Sequence, residues 1–402
     1  MVKFIHAGDV HLGNAFIGLS DIPNWLIEKL QRATLDAFRR LIDMALQEKV
    51  DLVLLPGDVY NTNEVNPRIQ LFLMEQFERL HEKSIPVVLS YGNHDFVKSV
   101  EYAPLFPENV HILGTSVETL LFNTDQNEQI AVSGFSYNNR HINENMTIDF
   151  PMKQNEDYHI GMYHGALGIA GRDDYAPFKI SDLNTKHYQY WALGHIHIRQ
   201  TLQEKPFIGY SGSLQGLNHK EDGLKGFYLV QSDENHQLQP TFVSSAPIVW
   251  QTINLKIEAN QEIQASSLIE LVKSTIEPQE HIFLLIQLKL TVDNQKQLQM
   301  VNSNAFYQQL KSKFQPDDHM YIYQLETKAQ QLMMTMPELS AESNLKELDK
   351  LVTVEHLVEM GLNLVDNTAV FELLIDPDNL AEIKDKIQLK LKKIQGGVQD
   401  VD

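Results

Sequence analysis

Pro86-Val87-Val88-Leu89-Ser90-Tyr91-Gly92-Asn93-His94-Asp95 is the stretch whose reading decides the fold. The apolar run from Pro86 to Leu89 reads as a buried strand, so Asn93, His94 and Asp95 fall on the loop just past its C-terminal end. Open α/β sheets carry their chemistry at that edge. An amide oxygen, an imidazole and a carboxylate follow a glycine there, within one turn of backbone. Alone, the stretch is a polar loop as readily as a site, because short motifs recur by chance. Its weight comes from the other strands.

Upstream, residues 2 to 6 read as a strand ending at Gly8-Asp9-Val10-His11-Leu12-Gly13, and Leu52 to Leu55 as one that breaks at Pro56-Gly57-Asp58-Val59-Tyr60-Asn61. Between them, Leu26, Leu30, Ala33, Ala37, Phe38, Leu41, Ala45 and Leu46 recur at threes and fours, predicting an amphipathic helix over Asn24 to Val50. Asn66-Pro67 starts a second helix, Asn66 as cap and Pro67 in its first position. The order is β-α-β-α-β. Downstream, strand-like runs at Gln129 to Phe135, Tyr158 to Tyr163 and Gln189 to Leu193 follow, the last two ending at His164-Gly165 and Gly194-His195-Ile196-His197.

A lone histidine on an apolar strand is usually a satisfied core residue. Here Asp9, His11, Asp58, Asn93, His164, His195 and His197 all fall at strand-to-loop junctions, and the chain has no cysteine. Thiolate sites and disulfides are thereby excluded. Seven N/O donors are too many for one four-coordinate ion and suit two ions sharing a carboxylate, with Asp58 the natural bridge. Two ions about 3.5–4 Å apart clamp the entering and leaving oxygens of an in-line displacement at phosphorus.

The 402 residues suggest two or three domains. No stretch approaches the roughly 18 continuous apolar residues of a membrane span, and the apolar run from Met1 to His6 is too short for a signal peptide. No membrane partner and a cytoplasmic location are expected. With 33 basic and 53 acidic residues the net charge is −20, which argues against gripping nucleic acid by a general positive field. A phosphate-bearing substrate then needs a local positive centre, and bound divalent ions are one.

The ordered series Gly8-Asp9-Val10-His11, Gly57-Asp58, Gly92-Asn93-His94-Asp95, His164-Gly165 and Gly194-His195-Ile196-His197 resembles the five-motif signature of the calcineurin-like metallophosphoesterases, over residues 1 to about 230. Leu12-Gly13, Tyr190-Trp191-Ala192-Leu193 and Tyr210-Ser211-Gly212-Ser213-Leu214 look most like the SbcD-type DNA repair nucleases, in particular a bacterial YhaO-like branch. The resemblance implies an α/β sandwich of two sheets flanked by helices, with a smaller α+β cap and a helical C-terminal region. It implies one ion held by Asp9, His11, Asp58 and His197, and another by Asp58, Asn93, His164 and His195, the two divalent ions being manganese. A hydroxide shared by the ions would be the nucleophile. His94 would face the scissile phosphate, stabilising the transition state or protonating the leaving oxygen, with Asp95 orienting its ring. The implied function is metal-dependent DNA exonuclease or endonuclease action in repair, and the implied partners are DNA, an SMC-like ATPase of SbcC type and a second copy in a homodimer. Asn61 departs from the histidine common at that position in archaeal and eukaryotic members, which bears on exonuclease efficiency.

His6 and Tyr91 read as packing neighbours of ligands. Arg172 reads either as a phosphate contact or as an ion pair with Asp173 or Asp174, and Ser211-Gly212-Ser213 has no base nearby for a serine nucleophile. The expected domains are 1–246 (catalytic), 247–327 (cap) and 328–402 (helical, partner-binding). In the last, Leu380, Ile383, Ile387, Leu391 and Ile394 form an apolar seam that either docks another chain or packs on the cap, and Lys384, Lys386, Lys390, Lys392 and Lys393 crowd the same helix. Two alternatives stand beside the nuclease: a phosphodiesterase or phosphatase for small substrates, and a metal-bearing scaffold for the ATPase.

Overall fold

The computed structural model describes residues 1–20, 22–61, 66–96, 106–257, 264–276, 281–313, 319–329 and Thr353. Met1–Gln330 make one compact unit and Gln331–Asp402 a second. The seam from Leu380 to Ile394 and its lysines lie outside the described residues.

β1 (Lys3–His6), β2 (Leu52–Pro56) and β3 (Val87–Ser90) are short runs buried at every residue but Lys3, and β2 and β3 are apolar throughout except for Ser90. Such strands are buried on both faces. Phe4, Leu52, Leu54 and Val88 point to one side, into a core shared with a second sheet, while Ile5, Val53, Leu55, Val87 and Leu89 point to the other. There they meet α1 (Asn24–Glu48) and α2 (Pro67–His81) through Ala37, Phe38, Leu41, Phe72, Leu73 and Phe77. Both helices follow the predicted periodicity. α1 stops at Lys49, which turns left-handed (φ 52°) with its N–H on the Ala45 carbonyl. The Asn66 side chain caps α2 by accepting from the Arg68 N–H, and Pro67 takes the first position, where no donor is missed.

The first sheet is completed by β4 (Val110–Ile112), β11 (Gly226–Ser232) and β12 (Leu238–Ser244), in the order β12-β11-β1-β2-β3-β4. β1 to β4 are parallel; β11 runs antiparallel to β1. The second sheet has the order β5-β6-β7-β8-β10-β9, from β5 (Glu118–Asn123), β6 (Gln129–Gly134), β7 (Tyr158–His164), β8 (Tyr190–Gly194), β9 (Gln200–Gln203) and β10 (Phe207–Tyr210), with the short helix α3 (Ile180–Asn184) between β7 and β8. Ile130, Val132, Ile160, Met162, Tyr190 and Ala192 face the first sheet. The α/β sandwich of two mixed sheets flanked by helices is thus the observed architecture.

A third sheet follows. β13 (Ile248–Ile257), β14 (Phe283–Val292) and β15 (Met320–Ala329) are all parallel, joined through α4 (Ala265–Thr275), α5 (Gln295–Val301) and α6 (Asn304–Ser312). One face of this sheet packs on its own helices through Leu284, Ile286, Leu268 and Leu310. The other packs Ile248, Trp250, Phe283, Leu285 and Tyr321 against Leu26, Leu30 and Ala33 of α1 and against Phe16, Leu19 and Ile22 of the loop before it. No described helix is long and apolar enough to cross a membrane.

Candidate metal centre

Loops leaving β1, β2, β3, β7 and β8 meet at one edge of the sandwich and bring the seven predicted donors together. His11 Nε2 lies 3.0 Å from His197 Nε2 and 3.7 Å from Asp58 Oδ2. His164 Nε2 lies 3.5 Å from Asp58 Oδ2 and 3.0 Å from Asn93 Oδ1, which is in turn 3.1 Å from His195 Nδ1. Asp58 therefore stands between two imidazole groups, as a bridging carboxylate must. Asp9, His11 and His197 form one group of mutually close donors, and Asp9, Asp58 and His164 another.

The backbone at these positions is strained. Asp9, His11, Asp58 and His195 have φ of 51°, 46°, 52° and 104°, each costing of order 1–3 kcal/mol in a non-glycine residue. Bonds between loops hold them there. The His11 and Leu12 N–H groups donate to the Asp58 and Val59 carbonyls, and the His195 N–H donates to both Asp9 oxygens at 3.0 Å. Gly57 is needed for space as well as for its φ of 84°, since a Cβ there would strike the His164 ring.

The donors fit cations rather than one another. The His164 Nδ1–H donates to the Pro56 carbonyl at 3.0 Å, so in the neutral ring Nε2 is a bare lone pair, and it faces the Asn93 oxygen, another acceptor. The His11 Nδ1 is buried without a partner, so the ring is held with Nε2 inward at the expense of a hydrogen bond. Burial pushes the His11 imidazole down to about 3, and burial followed by the nearby His164 does the same to His195. Both rings are kept neutral, the form that ligates metal. Burial works to raise the Asp58 carboxyl, but the imidazoles of His164, His11 and His94 bring it below its ordinary value. Burial also works to lower His197, and the Glu221 hydrogen bond and the Asp9 and Glu221 charges outweigh it, raising the ring to about 9.

Glu221 is a residue of the centre that sequence reasoning misses. Its Oε1 is 3.2 Å from His197 Nδ1, so it holds that ring with Nε2 toward His11, the carboxylate–histidine arrangement that orients metal ligands. Nothing in the loop Leu217-Asn218-His219-Lys220-Glu221 marks it; only the fold brings it back to His197, 24 positions away. Ser211 acts in the same supporting way, its Oγ accepting from the Gly8 N–H at 2.8 Å.

His94 stands edge-on to His11, ring centres 5.1 Å apart, and its backbone N–H donates to Asp58 Oδ1. Its ring is not oriented by Asp95 as expected. Asp95 Oδ2 accepts from the Tyr60 N–H and Oδ1 from the Gly92 N–H, tying the β2 and β3 loops together, and burial, then the Asp58 charge, pushes its carboxyl up to about 7. The geometric reason is that both oxygens are already turned to backbone donors. His94 Nδ1 instead faces the Asn61 carbonyl at 3.3 Å, and the Asn61 Oδ1 accepts from Asn14. Arg172 is exposed, and neither the cluster nor Asp173 or Asp174 pairs with its guanidinium among the described residues. His6 is fully buried between the Tyr190 hydroxyl and the Leu193 carbonyl, and Tyr91 packs on the α2 side of the first sheet.

A family model described as calcineurin-like phosphoesterase matches residues 2–199. The metallophosphoesterase YhaO of Bacillus subtilis is 37% identical over 278 residues, 68% of this chain and 67% of that protein. The DNA double-strand break repair protein Mre11 of Methanocaldococcus jannaschii is 28% identical over 58% of this chain and 63% of its own length. A subunit of the nuclease SbcCD from Staphylococcus epidermidis is 26% identical over 61% of this chain and 70% of its own length.

Proposed function

The chain belongs to the calcineurin-like metallophosphoesterases, whose members bind two divalent metal ions, and from that premise we propose that it is a phosphodiesterase that cleaves DNA. One observation supports this most: Asp58 between His11 and His164, with the His94 ring beside it. Bound divalent ions, manganese in this reading, supply an activated water and neutralise charge on the phosphate. The chain's own residues do the rest. With its Nδ1–H committed to the Asn61 carbonyl, His94 meets substrate through Nε2 alone, and from there the protonated ring donates to the leaving oxygen. The Asn61 side chain, its oxygen taken by Asn14, has its NH2 for a phosphate oxygen, and Arg172 is a candidate contact to a neighbouring phosphate.

DNA as the substrate is supported by the names of two relatives, a break-repair protein and a nuclease subunit. The −20 charge implies that the isolated protein holds DNA weakly and that a partner supplies grip. We assign that role to an SMC-like ATPase of SbcC type docking on residues 328–402, the third sheet (247–327) to a cap, and the working form to a cytoplasmic homodimer. The test is cleavage of end-labelled single- and double-stranded DNA with manganese, with chelator and with His94→Ala, beside a chromogenic phosphodiester. Metal-dependent cutting lost in His94→Ala is expected. Turnover of the chromogenic ester with DNA intact, even after the ATPase is added, would refute the DNA reading.

A further inference from the structure

We propose that Trp250, on the third sheet, is a positioning residue for one of the two ion sites, the one formed around His11 and His197. The proposal rests on the two-ion reading above.

The two halves of the centre are supported differently. The half containing Asn93, His164 and His195 is held from within the sandwich: the Pro56 carbonyl fixes His164, the Tyr137 ring stands edge-on to His164 at 5.4 Å, and the Tyr175 ring lies against His195 at 4.5 Å. The other half leans on the third sheet. His197 is held by Glu221, and Glu221 belongs to the loop between β10 and β11, where its second oxygen accepts from the Leu217 N–H at 3.2 Å. β13 grips that loop on both sides of Glu221. The Gln215 side chain pairs with the backbone of Ile248, giving 2.7 Å to its carbonyl and receiving its N–H at 3.3 Å. The Trp250 indole N–H donates to the Gly216 carbonyl at 2.9 Å, and the Gly223 N–H donates to the Trp250 carbonyl at 3.0 Å.

Trp250 also reaches the loop that follows His11. Its ring, 1% exposed, stacks on Phe16 at 6.0 Å, and one residue further on the Ile17 N–H donates to Leu217 in the Glu221 loop. A single buried side chain thus touches the loop that carries His11 and the loop that carries Glu221, the carboxylate that holds His197 with its Nε2 3.0 Å from His11 Nε2. No comparable contact from the third sheet reaches Asn93, His164 or His195 among the described residues.

Removing the indole N–H while keeping a ring frees Gly216 and loosens Glu221, so one ion should weaken and the other should not. The experiment titrates manganese into chelator-treated full-length protein by calorimetry and by the signal of free manganese, for the parent, Trp250→Phe, Gln215→Met and Leu310→Ala. The last opens a cavity on the far face of the same sheet, away from the loop, and serves as the control for general destabilisation. Expected are two tight sites in the parent and in Leu310→Ala, and one tight site with one weakened about tenfold or more in Trp250→Phe and Gln215→Met. Two unchanged sites in both loop variants would overturn the proposal, as would equal weakening of both sites, or the same loss in Leu310→Ala. A parent that binds no ion would instead sink the two-ion reading itself.

Discussion

Glu221→Gln isolates what a carboxylate does for His197 without changing the size of the side chain. Glu221 is buried, and its two oxygens accept from four donors: His197 Nδ1 at 3.2 Å and Asn218 Nδ2 at 2.5 Å on one side, the Leu217 N–H at 3.2 Å and Ser213 Oγ at 3.4 Å on the other. Glutamine has one oxygen and one NH2, so whichever way it turns, the two donors on one side face N–H instead of an acceptor. A buried donor left unpaired costs about 1–3 kcal/mol, which sets the expected loss of fold stability. If glutamine turns its oxygen to Leu217, His197 loses the acceptor that fixes its tautomer, and metal affinity falls about 10–100-fold, or about 1.4–2.7 kcal/mol. Chelator-competition titration with manganese measures the second quantity and denaturant unfolding of the metal-free protein the first. Loss of stability with ion affinity within about twofold of the parent in both Glu221→Gln and Glu221→Leu, the latter offering no oxygen in any orientation, would refute the argument, because Glu221 would then be supporting only its loop.

His6 gives a pH dependence away from the candidate metal ligands. Burial lowers its pKa from 6.5 to about 4, so between those values the unfolded chain binds a proton that the folded one does not, and stability falls as pH drops through that window. The metal-free protein should lose up to about 3 kcal/mol there, and His6→Gln should flatten that part of the curve; parallel curves for the two proteins would count against it. Gly57→Ala puts a Cβ into the His164 ring at a φ of 84°, so denaturant unfolding should show a loss of about 2–5 kcal/mol from strain and overpacking together. A loss under about 1 kcal/mol would mean the loop has room that the geometry denies.

The positions of the donors were legible because each strand announces itself by apolar residues and stops at a polar residue. Asp58 after Leu52 to Leu55 and His164 after Tyr158 to Tyr163 could be placed on the same edge with no knowledge of pairing. What the sequence hid were relations between distant loops. Asp95 sits beside His94 in the chain, which invites the idea that it orients that ring, yet its oxygens are claimed by backbone N–H groups of Tyr60 and Gly92. Glu221 lies in a polar loop like any other, and only folding brings it to His197. β13 begins where the composition changes at Ala246-Pro247, so a boundary was visible there and the strand was not. Pairing order was equally silent, since nothing local says that β11 comes back beside β1.

That return has a consequence for how the protein is made. β1 lies between β2 and β11, with Lys3 opposite Gln231, while His11 meets His197 across 186 positions of sequence. Contacts so distant close late and slow folding. During synthesis all seven donors have emerged before β11 exists, and until it does β1 keeps one side of its backbone unpaired, an open ladder of the kind that recruits other chains. A fragment stopped at residue 199 would therefore hold every donor and still lack both Glu221 and the strand that closes the sheet. The smallest piece that carries the seven candidate donors is smaller than the smallest piece that closes the sheet around β1.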